Sequence, residues 1–196
     1  MSMYPWETDE LGTTHGGQPG VVAKDGEEPG PISIPSMSGG GTMGRITEWW
    51  GYDGQMSGPV GTHLRGSCSC GWRGTELYPV DWAEVREQHP YEYDTSGPEA
   101  DWKAHVKDVE SRLVPLPDDL AELLDRLSRR LSELSDDEPL AVLRAANIAR
   151  RDSELFAGSA VMTIRRHGPS TAAVGVALGC SADEAETRMR RYYGHF

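Results

Sequence analysis

The alternation of hydrophobic and polar residues predicts an α+β fold: a small three-stranded antiparallel sheet with one or two helices, followed by an all-α C-terminal region. Residues 1–44 are rich in Gly and Pro and have little to bury, so we predict a disordered tail there. Short runs bounded by Gly and Pro predict three strands, at RITEWW, VGTHLRGSC and WRGTELYPV. We therefore assign residues 45–114 to a small β/α module with a Cys-x-Cys hairpin.

Two helices are expected within this module. Asp81 is a suitable N-cap for a first helix, which should end before Pro90 because the residue preceding a proline is disfavoured in helical conformation. Apolar residues then recur at three- and four-residue spacing between Trp102 and Leu113. This period predicts a second helix from Pro98 to about Val114.

Residues 115–137 predict an amphipathic helix with a leucine stripe along one side. The stripe consists of Leu120, Leu123, Leu124, Leu127, Leu131 and Leu134. Leu120, Leu127 and Leu134 are seven residues apart, which is the repeat of a coiled coil. Two interpretations stay open: the stripe packs on the next helix of the same chain, or these three leucines form the seam of a homodimer.

Residues 138–196 are predicted to form a helical domain. A long helical stretch runs from Pro139 to Gly168, and Gly158 is a point where it divides or kinks. Ser170 or Thr171 then caps a short helix, in which Val174 and Leu178 are expected to face inward.

The last helix has its own sequence signals. Gly179 suits the end of the preceding helix, and Ser181 with Glu184 three residues later forms a capping-box pattern. Ala185 and Met189 are the residues expected to face the core. Two short helices joined by a tight turn are the outline of a helix-turn-helix.

Charge is distributed unevenly along the chain. The net charge is −12, which argues against indiscriminate nucleic-acid binding, but from Arg144 onward eight arginines face five acids. The C-terminal segment therefore carries +3 and the rest −15. No apolar run approaches the roughly 20 residues of a membrane span and the N-terminus lacks a signal core, so we expect a cytoplasmic protein without a membrane partner.

A cluster of potential metal ligands lies in the β/α module. Cys68 and Cys70 follow His63 in sequence, and His105 lies on the second predicted helix, so these four side chains are a candidate structural zinc site. His89 is a possible fifth donor. The alternative is that the cysteines are reduced thiols and that His105 packs beside Trp102.

The CSCGWRG stretch and the later DWKAHV resemble small, mostly uncharacterised modules of actinobacterial and phage-like proteins. In those modules a Cys-x-Cys-Gly-Trp-Arg hairpin precedes a helix bearing a Trp and a His. The resemblance covers residues 49–109 and supports the fold rather than a function.

The C-terminal segment resembles actinobacterial helix-turn-helix domains of the sigma-region-4-like or regulator type. The matching residues are Gly168, Ser170, Val174, Gly175, Ala177, Leu178, Gly179 and Ser181. The resemblance implies that the last helix enters the DNA major groove. Its candidate DNA contacts would be Thr187, Arg188, Arg190 and Arg191.

Three residues depart from this pattern. Thr171 stands where the family has a Trp, and Asp183 and Glu186 would face a negatively charged groove. The resemblance nevertheless makes a DNA-binding transcriptional regulator the primary functional hypothesis. The alternative is an acidic protein-interaction factor that binds a transcription component without reading DNA.

An enzyme is not expected. The acids and histidines of the β/α module, from Asp81 to Asp101, show no spacing that marks a nucleophile with its base or a phosphate-binding loop.

Overall fold

The computed structural model describes residues 5–35, 42–55 and 58–193. The chain divides into two compact units, residues 1–108 and 109–196. The strands are β1 Gly17–Ala23, β2 Ile32–Pro35, β3 Thr42–Ile46, β4 Gly61–Cys68 and β5 Tyr78–Pro79. The helices are α1 Trp82–Glu87, α2 Ser96–Glu110, α3 Asp118–Leu134, α4 Pro139–His167, α5 Thr171–Ala177 and α6 Ala182–Tyr193. Within the described ranges no helix combines the length and apolar character needed to cross a bilayer.

The predicted α+β class is confirmed. Unit 1 contains a three-stranded antiparallel sheet with the strand order β1-β4-β5, and β2 and β3 form a separate antiparallel pair. The described part of unit 2 is helical. The predicted strand VGTHLRGSC is confirmed as β4, whereas only Tyr78 and Pro79 of WRGTELYPV pair with it.

The predicted disordered tail is wrong for the described residues before Arg45. β1 pairs along its whole length with β4, and the side chains of Val21 and Val22 are buried. This pairing joins residues about 40 to 50 positions apart, so no local pattern within the tail reveals it. Residues 1–4 and 36–41 lie outside the described part of the chain.

The stretch RITEWW does not form one strand. β3 ends at Ile46, and Trp49–Gly51 is a single 3-10 turn. The turn places the Trp49 side chain in the core of unit 1. Because Trp49 is not part of a strand, the two-residue alternation of a strand does not set its direction. The buried members of this core are Val21, Ile32, Trp49, Tyr52, Leu64 and Val85.

Both predicted helices of the β/α module are present. The Asp81 carboxylate caps α1 by accepting hydrogen bonds from the amides of Ala83 and Glu84, at 2.9 and 3.3 Å. The second helix, α2, begins at Ser96 and ends at Glu110, so it ends four residues earlier than predicted.

The leucine-striped helix α3 is the first whole helix of unit 2, and α4 follows it. α4 is assigned as one helix of 29 residues, so the predicted division at Gly158 is not observed, and Gly158 is buried. α4, α5 and α6 meet around a small core. Its buried members are Val161, Val174, Ala185 and Met189.

The signals predicted for the two short helices are largely confirmed. The hydroxyls of Ser170 and Ser181 accept hydrogen bonds from the amides of Ala173 and Glu184, and Gly179 has a φ of 62°. The prediction for Leu178 is wrong, because its side chain is exposed. Leu178 lies beyond the end of α5, so the helical period no longer sets its direction.

Candidate metal centre

The turn after β4 positions two cysteine sulfurs at one end of the sheet. The amide of Gly71 donates to the carbonyl of Cys68 at 3.0 Å, and the amide of Cys68 donates to the carbonyl of Trp72 at 3.0 Å. Gly71 has a φ of 95°, a conformation that side chains disfavour. Glycine at this position therefore lets the chain reverse immediately after Cys70.

His15 reaches the same end of the sheet from the N-terminal segment. It closes the 3-10 turn Gly12–His15, directly before β1. Ser69 fastens the cysteine turn to this segment: its amide donates to the carbonyl of Gly16, and its hydroxyl lies 2.9 Å from the carbonyl oxygens of Thr13 and Thr14. The His15 side chain is consequently buried beside Cys68.

His105 lies on α2. This helix packs closely against the sheet at two glycines, Gly17 of β1 and Gly66 of β4. A Cβ at Gly17 would be 2.5 Å from the Trp102 ring, and a Cβ at Gly66 would be 2.6 Å from the carbonyl oxygen of Pro98. The absence of a side chain on both strands therefore permits the close approach of α2. His105 follows Trp102 by three residues and so lies on nearly the same side of the helix.

The four side chains converge. Cys68 Sγ lies 3.5 Å from His15 Nδ1, and Cys70 Sγ lies 3.4 Å from His105 Nε2. Ligand atoms of all four residues lie within 4.8 Å of one another. Cys68 and His15 are buried, His105 is half-buried and Cys70 is exposed. The cluster therefore lies at the surface of unit 1 with one side open to solvent.

Aromatic residues contact both histidines of the cluster. The indole Nε1 of Trp102 donates to the carbonyl of His15 at 2.9 Å, from a side chain that is only 2% exposed. The His105 ring stacks on Trp72 with a centroid separation of 4.5 Å and an interplanar angle of 5°. The first contact fixes the backbone at His15, and the second restricts the orientation of the His105 ring.

The two cysteines differ in acidity. The hydrogen bond from Cys68 lowers the pKa of Cys70, and the neighbouring His105 acts in the same direction. The same hydrogen bond, together with burial, raises the pKa of Cys68. At neutral pH this arrangement favours one thiolate, on Cys70, and one thiol, on Cys68.

The donor set suits a tetrahedral zinc ion, and two of the ligand separations match its geometry. With Zn–S of about 2.3 Å and Zn–N of about 2.0–2.1 Å, sulfur and nitrogen ligands of one ion lie roughly 3.5 Å apart. The two sulfur–nitrogen distances in the cluster agree with this value. Four protein ligands fill a tetrahedron, which is the composition of a structural rather than a catalytic zinc site.

Three of the four metal ligands predicted from sequence belong to this cluster, and His63 does not. Its Nδ1 lies 3.0 Å from the hydroxyl of Thr62 instead. His63 and Cys68 are five residues apart on β4, so their side chains point to opposite faces and their backbones are about 16 Å apart. His89 is also absent from the cluster, and its ring stacks on Tyr91.

His15 is the ligand that the sequence interpretation missed. His15 lies within residues 1–44, the predicted disordered tail, so the sequence prediction does not include it among the ligands. The odd spacing between His63 and Cys68 is a signal that excludes His63 from a shared site, but no local pattern in the sequence points to His15.

The predicted DNA-contacting residues all lie on α6, but two of the arginines are held by acids of the same helix. Arg188 pairs with Glu184 at 2.7 Å, and Arg190 pairs with Glu186 at 2.9 Å. The hydrogen bond from Arg190, with Arg165 nearby, keeps the pKa of Glu186 below its usual range. The hydroxyl of Thr187 donates to the backbone carbonyl of Asp183.

Comparison of this chain with known protein families, with curated proteins and with solved structures found no match.

Proposed function

We propose that the protein binds one zinc ion in unit 1 through His15, Cys68, Cys70 and His105, as a structural site. The convergence of two sulfur and two nitrogen donors within 4.8 Å carries this proposal. Cysteine–histidine sets of this kind suit zinc, whereas calcium and magnesium prefer oxygen ligands. A zinc ion held there would cross-link the N-terminal segment, the end of β4 and α2.

Metal analysis of the full chain tests the proposal. The expected result is one zinc ion per chain, retained through dialysis and removed by a strong chelator. The matched variants are Cys70→Ser, which removes a proposed ligand, and Cys180→Ser, which removes the half-buried cysteine of unit 2. Zinc content that is zero in the wild type, or equal in the wild type and Cys70→Ser, would overturn the proposal.

A second candidate function belongs to unit 2. We propose that α5 and α6 bind DNA as a helix-turn-helix and that the chain acts as a transcriptional regulator, paired as a homodimer through Leu120, Leu127 and Leu134. Two capped helices around a turn glycine, with Val174 buried between them, favour this function. The ion pairs on α6 count against it, because arginines already paired with acids attract phosphate less strongly.

Binding of the full chain to random-sequence duplex DNA at low salt tests this second candidate. The expected complex should weaken steeply as salt is raised, since phosphate contacts release counterions. No binding at low salt would overturn it. Stable capture of a transcription component without DNA would then favour the protein-interaction alternative.

A further inference from the structure

Helix α3 has an apolar face that unit 2 leaves open. None of its 17 residues, all of which the structure describes, is buried. Leu120, Leu123, Leu124 and Leu127 are each 41–50% exposed. Burying a leucine side chain is worth roughly 1.5–3 kcal/mol relative to leaving it in water, so this face favours a partner.

The spacing of the leucines indicates another helix as that partner. Leu120, Leu124, Leu127, Leu131 and Leu134 follow one another at alternating intervals of four and three residues. This is the d-a-d-a-d pattern of a coiled-coil seam. Leu131 and Leu134 are half-buried, so the seam is partly exposed along its length and most exposed toward its N-terminal end.

We propose that α3 pairs in antiparallel orientation with α3 of a second copy, around a two-fold axis between residues 125 and 126. This inference rests on the homodimer proposed above and adds its orientation and register. In this register Leu124 packs on the partner's Leu127, and Leu120 packs on the partner's Leu131. An antiparallel pair of this kind uses the same surface on both subunits, as a two-fold interface requires.

Charge along α3 favours the antiparallel orientation. Residues 118–125 contain four acids and no base, for a charge of −4, whereas residues 126–134 contain three arginines and one glutamate, for +2. A parallel pair would place the acidic half of one helix beside the acidic half of the other. An antiparallel pair places each acidic half beside the basic half of the partner subunit and also opposes the helix dipoles.

The residues at the edges of the seam also favour the antiparallel orientation. In the heptad defined by the leucines, Ala121 and Ser128 occupy e positions, and Leu123 and Arg130 occupy g positions. Antiparallel helices place e beside e and g beside g. The small residues Ala121 and Ser128 then meet on one side, which permits close approach of the two backbones.

The proposed interface is short. A 17-residue helix is about 26 Å long, and four leucine layers bury less area than a standard interface of roughly 1,200–2,000 Å². We therefore expect a dissociation constant on the order of micromolar, within reach of analytical ultracentrifugation.

Charge variants of the full chain distinguish the two orientations. In the heptad defined by the leucines, Asp119 occupies a c position, on the same side of the seam as the partner's Arg130 at a g position. Replacing Asp119 and Asp125 by lysine therefore removes attraction in an antiparallel pair and should weaken its self-association about tenfold. The same change relieves repulsion in a parallel pair and should strengthen it. The matched control is Asp136→Lys with Asp137→Lys, which changes net charge equally but lies beyond the end of α3.

A second variant restores the complementarity. Arg129→Glu with Arg130→Glu should also weaken self-association, and an equimolar mixture of the two variants should form a heterodimer with wild-type affinity. Circular dichroism is the control that checks whether both variants remain helical. A wild-type chain that stays monomeric at all concentrations would overturn the homodimer itself. A wild-type dimer that the lysine variant leaves unchanged or strengthens would overturn only the orientation.

Discussion

His15 Nδ1 lies 3.5 Å from Cys68 Sγ, although 53 residues separate the two in sequence. Pairing of β1 with β4 brings them together, since Gly17 is the register partner of Cys68. The N-terminal segment is thereby part of the proposed metal centre. The structure therefore places His15 beside Cys68, where the sequence prediction had His63.

Histidine substitution separates the two ligand sets. His15→Asn should weaken zinc binding more than about 100-fold, because loss of a ligand costs more than the 10–100-fold measured for supporting residues. His63→Asn, the matched control, should bind zinc like the wild type. Competition titration against a chromogenic chelator measures both affinities. The reverse ranking would favour the ligand set predicted from sequence.

Zinc should stabilise unit 1 selectively, and tryptophan fluorescence can report this. All six tryptophans lie between residues 6 and 102, within unit 1, so their fluorescence follows that unit while circular dichroism also follows the helices of unit 2. Chelation should lower the fluorescence-detected Tm, and addition of zinc should restore it, because zinc binds the folded state. An unchanged Tm would contradict a structural role.

Above pH ~7.5, zinc binding should release about one proton from the cysteine pair. The lowered pKa of Cys70 leaves it as the thiolate, whereas the raised pKa of Cys68 keeps its proton, which zinc must displace. Affinity should therefore fall as pH falls. Calorimetry in buffers of different ionisation enthalpy counts the protons. Release of two protons, or none, would contradict this ionisation pattern.

Close approach of α2 to the sheet should depend on Gly66. Gly66→Ala should destabilise unit 1 by about 1–3 kcal/mol and weaken zinc binding, because the added methyl group meets backbone atoms of α2. Gly30→Ala is the control, since a Cβ there meets nothing within 4 Å. Urea denaturation followed by tryptophan fluorescence compares the two. Equal stabilities would refute the packing argument.

Removal of an acid from α6 tests the DNA-binding candidate. Glu186→Gln should increase affinity for duplex DNA several-fold, because it frees Arg165 and Arg190 and removes a charge that repels phosphate. Glu154→Gln on α4 is the control, since it frees Arg150 outside α6. Fluorescence anisotropy at low salt measures both variants. No increase specific to Glu186→Gln would show that the ion pairs do not limit binding.

Local signals of the sequence predicted the helices well. Proline positions, the Asp81 cap and the Ser181 cap depend on neighbours within a few residues, so they are readable without tertiary information. Ala185 and Met189 are buried as the helical period predicts. The sequence predicts Cys68, Cys70 and His105 as metal ligands because cysteine and histidine are uncommon and chemically distinctive.

Long-range pairing explains what the sequence did not predict. β1 consists of GQPGVVA, whose Gly and Pro content resembles a loop, and it becomes a strand because β4 supplies the hydrogen-bonding partner. The missing ligand, His15, follows directly from that missed strand. The strand alternation that excludes His63 was available in the sequence, because only the spacing to Cys68 is needed.

X-ray absorption spectroscopy of the zinc-loaded full chain tests the central claim most directly. The predicted first coordination shell contains two sulfur atoms at about 2.3 Å and two nitrogen atoms at about 2.0–2.1 Å. Replacement of His15 by Asn should leave one nitrogen fewer from imidazole, whereas replacement of His63 by Asn should leave the shell unchanged. A shell of oxygen ligands, or one with fewer than two sulfurs, would contradict a metal centre formed by His15, Cys68, Cys70 and His105.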